Sequence, residues 1–138
     1  MKHDLFRSCW ESLAETSIAG KLASVQQLVS QWHQGQLGID ANSPCQSLVR
    51  AGLPDNLQLV HPSKVARRRL GTKAGRIALL HAVAHIEFSA INLALDAVYR
   101  FREMPVSYYN DWLRVAAEEC YHFSLVRHQL LKMDSDYG

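Results

Sequence analysis

The stretch TKAGRIALLHAVAHIEFSAINLALDAVYRF, residues 72–101, decides the fold. At about 100° per residue, Leu80, Val83, Ala84, Ile91, Ala94 and Val98 gather on one face, flanked by Ile77, Leu95 and Phe101. That periodicity predicts a helix from Thr72 to about Phe101. Glu103-Met104-Pro105 ends it, because the residue before a proline resists the helical conformation. A second long helix is expected from Ser107, read as its N-cap, to about Met133. Its apolar face is Trp112, Val115, Ala116, Phe123, Val126 and Leu130. Two long helices joined by a short proline-containing turn predict an antiparallel helical hairpin.

Upstream, Phe6, Trp10 and Leu13 stand at helical spacing behind Asp4, a candidate N-cap. A further helix presents Ile18, Leu22, Val25, Leu28, Val29 and Trp32 on one side and stops near Gly35 to Gly38. Residues 39–71 hold three of the four prolines and no sustained period, so they read as loop. A loop that long is expected to run over the surface of other elements. The organisation is therefore N-terminal helices over 1–38, an irregular connection over 39–71 and a helical hairpin over 72–138, in one compact unit. No strand alternation and no short-period repeat appear, and the expected class is all-α.

Composition sets outer limits. With 138 residues the chain can bury a core without a disulfide or structural metal as a staple. A net charge of +2 is too small to imply a polyanionic partner. The run Arg67-Arg68-Arg69 is read as solvated rather than as a nucleic-acid contact. Cys9, Cys45 and Cys120 are odd in number and widely spaced, which points to a reducing, cytoplasmic setting. The N-terminus carries charges where a signal peptide needs its apolar run. No stretch reads as the roughly 18 apolar residues of a membrane span.

Polar residues on the apolar faces carry the chemistry. Glu87 falls among Leu80, Ala84, Ile91 and Ala94, and Glu119 among Trp112, Ala116, Phe123 and Val126. His122 lies about 60° around from Glu119. A buried carboxylate without a partner costs several kcal/mol. The hairpin would bring both glutamates and the imidazole together. Two carboxylates and a nitrogen donor on facing helices suit iron or manganese; a Glu and a Glu-x-x-His are half of the two-metal carboxylate site of ferritin-like bundles. His81 and His85, at i and i+4, have a zinc-compatible spacing but fall on the edge away from Glu87, which favours a solvated or supporting role. Glu118 is expected to pair outward with Arg114, and Asp111 to complement the helix dipole. Cys120 reads as a packing residue.

The segments RRRLGTKAGRIALLHAVAHIEFSAINLALDAVYRF and MPVSYYNDWLRVAAEECYHFSLVRHQL also resemble the bacterial ferritin-like family catalogued as domain of unknown function 455. The resemblance rests on H-x-x-x-H-x-E-x-x-A-I, then Y-x-D-W, then E-E-x-x-H-F. It implies a four-helix bundle related to rubrerythrin-like and transfer-RNA-hydroxylase-like proteins. In it, Glu87 matches the glutamate of the first bundle helix, and Glu119 and His122 the Glu-x-x-His of the second. His85 belongs to the pattern without a matched ligand role. Members of that family are about twice as long, and their second half supplies the other two bundle helices. The expectation is thus a homodimer whose shared four-helix core, residues 72–133 of each copy, completes a di-iron or di-manganese site acting on oxygen or peroxide. Two alternatives stand beside it: a metal-free helical interaction module, and a zinc protein using His81, His85 and His122.

Overall fold

A computed structural model describes residues 3–47, 51–55, 57 and 70–138. The chain is mostly helical, with four helices and a two-stranded sheet among the described residues: β1 (His3–Asp4), α1 (Leu5–Ala14), α2 (Ile18–His33), β2 (Leu37–Gly38), α3 (Lys73–Arg100) and α4 (Val106–Lys132). Arg67-Arg68-Arg69 lie outside the described residues.

Local chemistry sets the helix ends. Asp4, Ser17 and Thr72 each accept the backbone N–H three residues on, from Arg7, Gly20 and Gly75, which satisfies an N–H that the helix itself leaves unpaired. After α2, Gly35 takes φ +72°, and Gln36 N–H returns to the Gln31 carbonyl at 2.9 Å. That left-handed closure turns Leu37–Gly38 back to pair in parallel with His3–Asp4. The small sheet was not legible as strand alternation, since two residues are too few to alternate. Helix α4 begins at Val106 with Pro105 at the N-cap position, not at Ser107. Asp111 consequently lies beyond the first turn, where it pairs with Arg114 at 3.4 Å.

Helices α3 and α4 pack antiparallel along their length. At the closed end, the Tyr109 hydroxyl donates to the Phe101 carbonyl at 2.9 Å and accepts from Met104 N–H at 3.2 Å. These bonds hold a turn in which Glu103 takes φ +59°. Mid-length, Phe88 meets Phe123 edge to face with ring centres 5.2 Å apart. Helices α1 and α2 cover one side of this pair: Phe6 packs on Tyr109 at 5.7 Å, and Trp32 Nε1 donates to Asn110 at 2.7 Å.

That cover rotates the buried arcs away from the expected positions. On α3 the fully buried residues are Ala84, Phe88, Ile91, Ala94, Leu95 and Val98, with Asn92 and Tyr99 nearly so, while Phe101 is exposed. On α4 they include Tyr109, Leu113, Ala116 and Phe123, with Trp112, Val115 and Val126 only part-buried. Helix α3 must face both α4 and α1, so its buried arc spreads toward Phe88, Asn92 and Tyr99. Glu87 and Glu119 therefore stand at the margin of the packed face rather than at its centre. By length and composition α3 is apolar enough to cross a membrane, contrary to the sequence expectation; here it supplies the central packed helix.

A lysine sits inside this core. Lys21 of α2 is fully buried; its ammonium donates to the Leu13 carbonyl at 3.2 Å, the Gly52 carbonyl at 2.7 Å and Asn92 Oδ1. It thereby joins α1, the connecting loop and α3. The loop enters the core here instead of only crossing the surface, and Gly52 permits it: a Cβ there would stand 2.1 Å from the Glu15 carbonyl oxygen. Burial holds the ammonium pKa down to about 8, against the attraction of Glu15 and Cys120.

Replacing Lys21 with Met strands three acceptors and should cost about 3 kcal/mol in urea unfolding. Between about pH 8 and the ordinary lysine value of 10.5, the unfolded chain holds a proton on Lys21 that the folded chain has released. Stability of the wild type should therefore rise relative to Lys21→Met as pH increases through that interval. Parallel unfolding curves at pH 7 and 10 check both.

Candidate metal centre

Glu87 follows from the middle of α3, and Glu119 and His122 from one turn of α4. The antiparallel register sets them side by side. His122 Nδ1 lies 3.5 Å from Glu119 Oε2 and 3.8 Å from Glu87 Oε2, and one donor atom from each residue falls within 4.8 Å of the others. These separations exceed hydrogen-bond length. The 3.5 and 3.8 Å separations match neighbouring ligands of one cation, since two donors each about 2.1 Å from an ion stand about 3–4 Å apart. Both carboxylates are 21% exposed and the imidazole 48%, so the group opens to one side of the hairpin. Two carboxylates against one imidazole leave net negative charge even when the ring is protonated, which favours a cation.

The two other histidines go elsewhere. His85 Nδ1 pairs with the Tyr137 hydroxyl at 2.7 Å, and His81 Nε2 accepts from Gly138 N–H at 3.1 Å. Burial, with His85 nearby, lowers the His81 pKa. Neither joins Glu87, Glu119 and His122 in the ligand cluster found among the described residues. As expected, Glu118 turns outward toward Arg114, at 3.9 Å. Burial pushes the Cys120 thiol up to about 12, as befits a packing residue.

Tyr137 is the part of this neighbourhood that periodicity did not reveal. After α4, Asp134 adopts φ +58°, and Ser135 N–H returns to the Leu130 carbonyl at 3.0 Å. Asp136 then pairs with Arg127 at 2.9 and 3.1 Å, whose guanidinium holds the carboxyl below its ordinary range. The reversed chain inserts Tyr137 between Phe88 and Phe123, with ring centres at 5.3 and 5.4 Å. Burial raises its hydroxyl pKa to about 12. No helical spacing links Tyr137 to His85, so only the fold reveals the pair. Lys21 did leave a signal: at 100° per residue it sits among Ile18, Val25 and Leu28 on the apolar side of α2.

A helical hairpin carrying a Glu and a Glu-x-x-His that converge at its open side is the class defined by this geometry. Residues 14–138 match the family model described as "Protein of unknown function (DUF455)", and the chain belongs to that family. It is also 45% identical over 95 residues to an uncharacterised protein of Haemophilus influenzae; the match covers 64% of this chain and 33% of that relative. The chain thus spans about a third of the length of the curated relative it matches. No solved structure matches.

Tyr137→Phe removes the hydroxyl and keeps the ring contacts. It should lower stability by about 1 kcal/mol in urea unfolding, with helical content unchanged by circular dichroism.

Proposed function

We propose that this chain is a ferritin-like metal-binding protein in which Glu87, Glu119 and His122 form half of a two-metal carboxylate site. The convergence of three donor atoms within 4.8 Å from two facing helices carries the reading. Carboxylate oxygens with one imidazole nitrogen suit iron or manganese better than zinc, which takes more nitrogen and sulfur ligands. Bound there, such ions would supply oxidoreductase chemistry toward oxygen or peroxide. The residues' own work is simpler. Glu87 holds one carboxylate against α4, and Glu119 and His122 present the other two donors from one turn. Phe88 and Phe123 exclude water from the inner side, where both are fully buried. The free thiols Cys9, Cys45 and Cys120 accord with a cytoplasmic setting.

A metal-free interaction module is the second reading. It is favoured by the open placement of the group, with His122 48% and both carboxylates 21% exposed, so that solvent can satisfy all three side chains without an ion. Metal analysis separates the two. Protein purified without chelator should carry iron or manganese, and Glu119→Ala should reduce the occupancy at least tenfold with helical content retained. Iron occupancy undiminished by that change would remove Glu119 from the ligand set. A metal-free wild type that takes up neither ion would favour the module, and zinc alone would favour a different site.

A further inference from the structure

We propose that Tyr137 is a positioning residue of the candidate metal centre: through the chain reversal after α4 it braces α3 and so holds Glu87 opposite Glu119 and His122. The inference rests on the metal-site reading for its effect on metal affinity, but the alignment it describes exists without an ion. Something other than the three ligand side chains must fix that alignment. His122 stands 3.5 Å from Glu119 and 3.8 Å from Glu87, separations longer than hydrogen bonds. Apolar burial between the helices is not directional. A roll of α3 about its own axis would therefore swing Glu87 out of the cluster while much of the apolar contact survived.

The reversal opposes that roll. It is anchored to α4 by Ser135 N–H on the Leu130 carbonyl at 3.0 Å and by Asp136 on Arg127 at 2.9 and 3.1 Å. It reaches α3 through the Tyr137 hydroxyl on His85 Nδ1 at 2.7 Å and through Gly138 N–H on His81 Nε2 at 3.1 Å. At 100° per residue, His85 lies about 160° around α3 from Glu87, and His81 about 120°. Both contacts thus grip the helix on the side away from the ligand. The Tyr137 ring is 1% exposed, with ring centres 5.2 Å from His81, 5.3 Å from Phe88 and 5.4 Å from Phe123. Phe88 and Phe123 are the chain neighbours of Glu87 and His122, so one ring bears on both halves of the cluster. Further along α3, Asn92 is held by Lys21. Glu87 therefore lies between two grips, one from the core lysine and one from the reversal.

The test is manganese(II) titration of the full chain, read by paramagnetic resonance, beside nuclear Overhauser contacts between the His122 ring and the Glu87 side chain in the metal-free protein. The wild type should show those contacts. Tyr137→Ala should lose them and weaken manganese binding about tenfold or more, as loss of a group that supports metal ligands does. Tyr137→Phe keeps the ring contacts and should bring both readouts back, with affinity within about threefold of wild type. Asp136→Asn loosens the reversal from its surface side and should act in the direction of Tyr137→Ala; it carries the comparison if Tyr137→Ala does not fold. Phe6→Leu thins the core at the closed end and should lower urea stability with both readouts unchanged. Equal loss of manganese binding in Phe6→Leu and Tyr137→Ala overturns the inference, because packing in general would then be the cause. A Tyr137→Ala protein that keeps the contacts or binds manganese like the wild type also overturns it. A wild type that shows the contacts but binds neither manganese nor iron(II) removes the metal reading; loss of the contacts in Tyr137→Ala then upholds the brace.

Discussion

The contact of Phe88 with Phe123 sets the register on which the rest depends. Each ring is fully buried and each follows a site residue in sequence: Glu87 precedes Phe88, and His122 precedes Phe123. Matching the two rings across the hairpin therefore matches the carboxylate with the imidazole. A slip of one helical turn, about 5.4 Å, would separate the phenyl rings and the polar groups together. Tyr137 packs against both rings from the chain reversal after α4 and reinforces the same alignment. Apolar burial, which is not directional, thus fixes the position of directional ligands.

The second constraint is the buried ammonium of Lys21. A charge in an apolar core is tolerated only when its donors are satisfied, and here three acceptors come from three separate parts of the chain. This ties α1 and the connecting loop to α3 on one side. The rest of the hairpin surface keeps the partly exposed glutamates, the half-exposed imidazole and, elsewhere on α3, the exposed Leu79, Ile86 and Leu93. The asymmetry follows from α3 having neighbours on two sides and not on the third.

Much of this was legible in advance. Both long helices, their antiparallel turn, the capping roles of Asp4 and the meeting of Glu87 with Glu119 and His122 follow from spacing and side-chain type. The misplacement of the two glutamates has one source. Angular averages placed the glutamates at the centre of the packed faces because they weigh every apolar residue equally. Leu79, Ile86 and Leu93 are as apolar as Leu95 and Phe88, and only the position of α1 and α2 decides which set is covered. His81 and His85 could be set apart from Glu87 by angle, yet their partners Tyr137 and Gly138 come from a chain reversal that periodicity cannot express.

Residue spacing alone determined that this chain forms long helices and that Glu87, Glu119 and His122 belong to one constellation, because helical geometry is local and repeats every few residues. Tertiary packing decided how far the helices roll, which apolar row stays uncovered, where Lys21 finds its acceptors and how Tyr137 reaches the core. Those outcomes depend on contacts between segments distant in sequence, where burying one face necessarily leaves another exposed.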